Sequence, residues 1–259
     1  MTIITPYRDR IDNLRQFLPC MINFFGDSPI EILIVEQMDN RPFNRGALLN
    51  AGFLLAPASD YVVFHDVDLL PLDRSCEYSK PSTGLCHLAG HAEQFGYALP
   101  YVNYCGGVLI ASRHAFHLVN GYSNRYWGWG CEDDDLLARA WSENITIERR
   151  PGLYRSLPHR MAPNSEGHRN QVLFANVLRQ YVQSELGLPI HPRVFRRVPL
   201  TLLKPNLQEV QTHRVDGLST IAFSVHSQVS LNSYLRDSSI PVHHRIAKIV
   251  LEMAENSSS

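Results

Sequence analysis

Two clusters of acids in this sequence have the residue types and spacing that chemistry uses. The first is the unbroken run Glu132-Asp133-Asp134-Asp135, just after the glycine-punctuated aromatic stretch Gly121-Tyr122-Ser123-Asn124-Arg125-Tyr126-Trp127-Gly128-Trp129-Gly130. One or two acids suffice to complement a helix N-terminus, at about 0.3–1 kcal/mol each. Four in a row repel one another, and such crowding serves proton transfer or cation binding. The aromatic stretch makes poor core, because glycine packs nothing and costs backbone entropy. Its flat faces suit the apolar side of a pyranose ring.

The second cluster is Asp66-Val67-Asp68, directly after the apolar run Tyr61-Val62-Val63-Phe64 and His65. Carboxylates at i and i+2 suit a hard divalent cation that also grips phosphate oxygens. A turn held by Asx bonds is the plainer alternative. Arg8 and Arg10 follow the first apolar run, and Arg45 opens a helical pattern. Guanidinium groups beside a metal site suit a diphosphate, against the alternative of a solvated loop. The aromatic-rich stretch Phe95–Tyr104, with Tyr101 and Tyr104, fits either a core edge or a sugar pocket. His159 and His168 stand in a polar, proline-containing segment without helical metal spacing. Pro192-Arg193-Val194-Phe195-Arg196-Arg197 is a small basic-aromatic cluster that reads as a solvated loop, with contact to an anionic acceptor or a membrane headgroup as the alternative.

The elements that must hold these residues alternate between strand and helix. Ile3-Ile4-Thr5, Ile30–Val35 and Tyr61–Phe64 read as strands. Between them, Asp12–Phe25 and Asn44–Ala56 carry apolar residues at helical spacing, with Pro19 marking a kink or break in the first. Strands separated by such helices predict an α/β fold with a mostly parallel central sheet flanked by helices. Ligands then bind beyond the carboxyl ends of the strands, where Tyr7-Arg8-Asp9-Arg10 and His65-Asp66-Val67-Asp68 fall. Further along, Gly106–Ala111 and Asn144–Arg149 read as strands and Asp135–Trp141 as a helix. Gln171–Leu186 reads as a helix and Gly217–Val225 as a strand; Leu200–Val210 is ambiguous and the Glu255–Ser259 tail is expected to fray.

Composition sets the outer limits. The 259 residues are 44% apolar and 19% charged, as in an ordinary globular protein. A formal net charge of −1 argues against a general nucleic-acid binder. No apolar run is long enough to span a bilayer. Five cysteines without a CxxC pair suit a reduced, cytoplasmic protein, with a trimmed Golgi-luminal catalytic domain as the alternative.

With these motifs together, the chain resembles the β-1,4-galactosyltransferase family, most of all its xylose-directed branch or a bacterial relative. The likeness runs in order through Pro6-Tyr7-Arg8-Asp9-Arg10, Phe43–Phe53, His65–Pro71, Gly106-Gly107, Asn120–Gly130 and the four acids. It implies a nucleotide-sugar-binding (GT-A) fold over residues 1–259 as a single catalytic domain. Residues 1–110 are then the nucleotide-sugar half and 111–170 the acceptor and catalytic half, with 171–259 a C-terminal extension. Pro6, Tyr7, Arg8, Arg10, Phe43 and Arg45 match the uridine-diphosphate pocket. Asp66, Val67, Gly107 and Glu132 fall on the donor side, where Tyr104 selects galactose over N-acetylgalactosamine. Asp133 matches the catalytic base, and Trp129 matches the mobile loop's tryptophan, shared by donor and acceptor. Tyr101 and Asp134, with Asp133, fall on the acceptor side. Asp68 and His159 match manganese ligands.

The implied activity is inverting transfer of galactose from UDP-galactose to a glycan hydroxyl. The alternatives are an N-acetylgalactosaminyltransferase of a polysaccharide-building system and an inactive carbohydrate-binding relative. The chain departs from the family at Ser156 and Leu157, where a further metal ligand is usual, and at Gln94 and Cys131. His168 is a distant substitute for the missing ligand.

Overall fold

The computed structural model describes residues 1–158, 165–206, 212–232 and 244–254. Strand β1 (Thr2–Tyr7) is buried along its whole length. Helix α1 (Ile11–Phe25) follows, burying Leu14, Phe17, Leu18 and Met21 on one stripe. It runs unbroken through Pro19, so burial of that stripe outweighs the single backbone bond the proline forfeits. Strand β2 (Glu31–Gln37) leads to helix α2 (Arg45–Leu55), whose first turn is capped by the Asn44 side chain accepting from Ala47 N at 2.9 Å. Within α2 a Cβ at Gly52 would lie 2.4 Å from Ile4 Cγ2, so only glycine lets the helix lie flush on β1.

Strands β3 (Tyr61–His65), β4 (Leu69–Pro71), β5 (Leu85–His87), β6 (His91–Ala92) and β7 (Val108–Ser112) come next. Helices α3 (Arg113–Leu118) and α4 (Glu132–Ser142) precede strands β8 (Ile147–Arg149) and β9 (Leu153–Ser156). The last part of the chain holds α5 (Gly167–Tyr181), β10 (Val182–Gln183), α6 (Pro192–Arg197), β11 (Lys204–Pro205), β12 (Phe223–Ser230) and β13 (Arg245–Met253).

The central sheet has the order β12-β13-β2-β1-β3-β7-β5-β8. Its middle is parallel: β13 with β2, β2 with β1, and β1 with β3, Ile3 standing opposite both Ile32 and Val63. The flanks turn antiparallel at β12–β13, β3–β7 and β7–β5. The outermost pair β5–β8 is parallel again, so the sheet is mixed with four of its seven pairings parallel, as expected. Helix α2 lies on one face with Leu48, Leu49 and Phe53, and α1 packs on the other through Phe17 and Met21.

Three expectations shift. Residues 217–222 form a turn, because Gly217 has φ of +142° where a strand would begin, and the strand itself is β12. The ambiguous stretch from Leu200 contains a short 3-10 turn and β11, while residues 207–211 and the 255–259 tail lie outside the described residues. The basic-aromatic cluster at Pro192–Arg197 is helix α6, with Phe195 fully buried, and not a solvated loop. Pro192 suits its first position, where no backbone N–H is needed. Among the described residues no helix is long and apolar enough to cross a membrane.

Candidate active site

Strand β3 ends at His65 and hands the chain to Asp66-Val67-Asp68 at its carboxyl end. His65 is sealed from solvent, and burial pushes its imidazole down to about 4. Neutral, it donates from Nδ1 to the Asp66 carbonyl at 2.9 Å and accepts at Nε2 from the Tyr78 hydroxyl at 2.9 Å. Tyr154 donates in turn to Tyr78 at 3.1 Å. Asp66 N donates to Gly107 O at 3.0 Å, which pins the acidic turn to the start of β7. The turn carrying Asp66 and Asp68 is thus held from beneath by a satisfied buried network.

Arg45, the first residue of α2, joins this turn to the acids that open α4. Its Nε lies 2.7 Å from Asp66 Oδ1, and its Nη1 lies 2.9 Å from Asp133 Oδ1 and 3.8 Å from Glu132 Oε1. The two acid clusters therefore meet on one guanidinium, with its side chain only 11% exposed. Burial pushes Asp66 up to about 6 and Glu132 up to about 8, against the opposing pull of Arg45. Desolvation works against the charge on Arg45, but Asp133 and Asp66 overcome it and hold the guanidinium well above its usual range.

A helix turns about 100° per residue, so four consecutive acids cannot face one site. Glu132 and Asp133 face Arg45. Asp134 pairs with Arg196 at 2.5 Å, and Asp135 pairs with the fully buried Arg139 while accepting from the Tyr126 hydroxyl at 2.9 Å. The fourth acid is thus part of the core. Arg139 also reaches Asp216 Oδ2 at 3.1 Å, and Asp216 accepts from Ser123 Oγ at 2.5 Å and Asn124 N at 3.1 Å. That segment anchors the base of the aromatic stretch.

The expected nucleotide residues line the carboxyl ends of β1 and β2. Pro6 and Tyr7 are buried in β1, and burial raises the Tyr7 hydroxyl. Arg8 donates to Arg41 O at 2.7 Å and lies over the Phe43 ring at 5.4 Å. Arg10 pairs with Asp68 Oδ2 at 2.9 Å. Asp68 is a hard oxygen donor that already balances a positive charge there, which fits a divalent cation. His159 lies outside the described residues. Leu157 N donates to Asp68 O at 2.7 Å. Among the described residues no group of three or more His, Cys, Asp or Glu is arranged to hold a metal ion. Ser156 is engaged locally, accepting from Gln94 N and donating its own N–H to Glu93, Leu157 is buried, and His168 is exposed on α5.

On the opposite wall, Tyr101 donates from its hydroxyl to Asp134 Oδ1 at 2.9 Å and meets Tyr104 edge-on at 5.4 Å. A Cβ at Gly106 would sit 2.7 Å from Asp133 Oδ2 and 2.8 Å from the Tyr104 hydroxyl, so the bare glycine leaves room for both groups. Gly107, with φ of +83°, makes the turn into β7. Trp129 is 69% exposed at the tip of the aromatic loop, whereas Trp127 is covered by Arg41 at 4.5 Å. Asn170 on α5 donates to the carbonyls of Trp127 at 2.8 Å and Trp129 at 3.3 Å.

Sequence reasoning missed Asn170 and Arg196. The first carries no signal beyond being a polar residue in a helical pattern. The second had one: a phenylalanine among arginines, where the aromatic demands burial and drags its neighbour inward.

The chain is similar to known glycosyltransferases. Residues 1–80 match a family described as the N-terminal region of glycosyl transferase group 7, and residues 86–160 match one described as the N-terminal domain of galactosyltransferase. The chain is 34% identical over 210 residues to β-1,4-galactosyltransferase 7 of Mus musculus, covering 78% of this chain and 64% of that one. It is 37% identical over 158 residues to xylosylprotein 4-beta-galactosyltransferase of Caenorhabditis elegans, covering 59% and 54%. The chain thus spans between about half and two thirds of the length of these curated relatives. Among solved structures, a variant of Drosophila β1,4-galactosyltransferase 7 in complex with manganese, UDP-Gal and xylobiose aligns at a TM-score of 0.66 and 26% identity, covering 98% of this chain and 94% of that one. By its ordered motifs, its relatives and a GT-A scaffold in which both acid clusters meet on Arg45, the chain belongs to the β-1,4-galactosyltransferase family.

Proposed function

We propose that this chain catalyses the inverting transfer of galactose from UDP-galactose to a sugar hydroxyl. The observation that carries this reading is Arg45, which touches Asp66 on the donor side and Asp133 on the acceptor side within one crevice. A xyloside is the acceptor class best supported, because the similar crystallised enzyme holds xylobiose and a relative is named for xylosylprotein. Residues 1–259 act as one catalytic unit in this reading; pairing of the late strand β13 with β2 supports it.

Arg8, Arg10 and Arg45 bind the diphosphate, with Pro6, Tyr7 and Phe43 enclosing the uridine, and Asp66, Val67, Gly107 and Glu132 border the donor sugar. Tyr104, beside Gly106 and Asp133, restricts the room around that sugar. Asp68 and His159 are the residues to hold manganese, which when bound supplies Lewis-acid neutralisation of the departing diphosphate. Asp133 takes the proton from the acceptor hydroxyl as that oxygen bonds to the anomeric carbon and the bond to UDP breaks on the opposite face. Arg45 fixes Asp133 Oδ1, which leaves Oδ2 beside the Gly106 gap for this task. Tyr101 and Asp134 orient the acceptor. The Trp129 loop covers both sugars and excludes water, which disfavours hydrolysis of the donor.

The test is release of UDP from UDP-galactose in the presence of xylobiose, with Mn²⁺ or with chelator. Acceptor-dependent, chelator-sensitive release is expected. Glycan binding without any UDP release would favour the inactive carbohydrate-binding alternative.

A further inference from the structure

Helix α6 lies beyond both segments that the family models match, yet it grips the acceptor wall at three points. Phe195 is fully buried and meets Phe174 of α5 edge-on at 5.7 Å, which fixes the helix in place. Asn103, inside the Tyr101–Tyr104 turn, donates its amide to the carbonyls of Phe195 and, at 2.9 Å, Val198, and its backbone N–H to Arg196 O at 3.3 Å. Arg196 then reaches α4. Its Nε and Nη2 donate to Asp134 Oδ2 at 2.9 and 2.5 Å, its Nη2 donates to Cys131 Sγ at 3.4 Å, and its guanidinium lies over the Tyr101 ring at 5.6 Å.

These contacts differ from those of a surface ion pair, which contributes little because both partners stay solvated. The Asp134 side chain is only 3% exposed, and its other oxygen accepts from the Tyr101 hydroxyl. A planar guanidinium that places two N–H groups on one carboxylate oxygen sets the carboxylate's orientation as well as its charge. Asp134 is also the immediate chain neighbour of Asp133. Any rotation of its carboxylate moves the acceptor relative to the group that takes its proton.

We propose that Arg196 is a positioning residue for the acceptor, acting through Asp134 and Tyr101, so that acceptor affinity depends on the otherwise unassigned segment around α6. This rests on the transfer reading above. A lysine at this position would keep the charge but supply one contact in place of the fork.

Two readouts test it on the full chain: xylobiose saturation at fixed UDP-galactose and Mn²⁺, and calorimetric binding of xylobiose in the presence of UDP and Mn²⁺. Arg196→Met is expected to raise the xylobiose KM and weaken its binding by about 10- to 100-fold, the span of a lost charge-assisted hydrogen bond. The kcat and the UDP-galactose KM should change by less than about threefold. Arg196→Lys should fall between Met and the unaltered chain, and it keeps the test informative if the methionine variant does not fold. Adding Arg196→Met to Asp134→Asn should change xylobiose affinity by less than about twofold, because the two residues act as one unit.

An unchanged xylobiose KM in either single variant overturns the proposal. So does a parallel loss of kcat and donor affinity, which marks a scaffold role, or full additivity with Asp134→Asn. If the unaltered chain binds xylobiose through Arg196 but releases no UDP, the transferase reading fails and the role of Arg196 stands. If it binds no xylobiose, both fail.

Discussion

The two sides of the proposed site are built differently. On the side proposed for the donor, Arg10, Arg45, Asp66 and Asp68 sit at the ends of β1 and β3 and the start of α2, the parallel centre of the sheet. Their backbone is fixed by the same burial that folds the domain's core. On the side proposed for the acceptor, Tyr101, Asp133 and Asp134 are brought together by a loop turn, the N-terminus of α4 and the late helix α6. That wall exists only after distant segments dock. The donor wall should therefore tolerate changes in loops, whereas the acceptor wall should respond to single contacts made across long chain separations.

The largest effect that would sharpen this contrast is on turnover. Asp133→Asn is expected to lower acceptor-dependent UDP release by about 100- to 10,000-fold, the range for losing a general base. UDP binding measured by calorimetry should stay within about threefold, since the donor wall does not rely on this proton transfer. A variant that retains turnover would remove Asp133 from its role.

Next comes the residue common to both walls. Arg45→Met leaves Asp66, Glu132 and Asp133 facing one another without their cation. Breaking such a buried cluster costs about 3–5 kcal/mol. Denaturant unfolding should show that loss, more at pH 8 than at pH 5, because protonation of Asp66 and Glu132, both raised by burial, relieves the repulsion in acid. A stability equal to the unaltered chain would mean that the two walls are not coupled through this guanidinium.

A smaller, one-sided effect is expected for Asp68→Asn. Manganese-dependent UDP affinity should fall about tenfold, near 1.4 kcal/mol, with xylobiose binding little changed. Equal UDP affinity with Mn²⁺ and with chelator in the unaltered chain would count against Asp68 as a ligand.

The mildest change separates stability from chemistry. Burial lifts Glu132 from 4.5 to about 8 in the folded chain. The folded state therefore holds this proton more tightly than the unfolded state does. The resulting stabilisation is fully present below the ordinary carboxylate value and is lost as pH rises through about 8. Glu132→Gln should flatten that fall and leave Tm higher than the unaltered chain at alkaline pH. A Tm profile with the same slope in both proteins would show that Glu132 does not carry the dependence.

Much of the donor wall was legible in the primary structure. Apolar runs at strand and helix spacing mark β1, β2, β3, α1 and α2, and Asp66-Val67-Asp68 follows an apolar strand that aims it at the ligand end of the sheet. Asn44 caps α2 through its own side chain, a signal contained within four residues. The acceptor wall was less legible. Arg196 carries only its charge and the neighbouring Phe195, and nothing nearby indicates that its partner lies 62 residues earlier. The four acids of α4 read as one cluster, although helical rotation hands them to three different arginines.

The sequence by itself determined the kinds of group available: carboxylates in pairs and runs, guanidiniums after strands, and aromatic rings among glycines, of which packing leaves Trp129 exposed and buries Tyr122 and Tyr126. It also determined the strand-helix alternation, because hydrophobic period is a local property of the chain. Only the tertiary structure decided which acid meets which arginine, Arg45 with Asp133 across 88 residues and Arg196 with Asp134 across 62. The reason is physical: like acids and like arginines are interchangeable until packing removes water from some of them, and an ion pair acquires a fixed partner and geometry only where that water is gone.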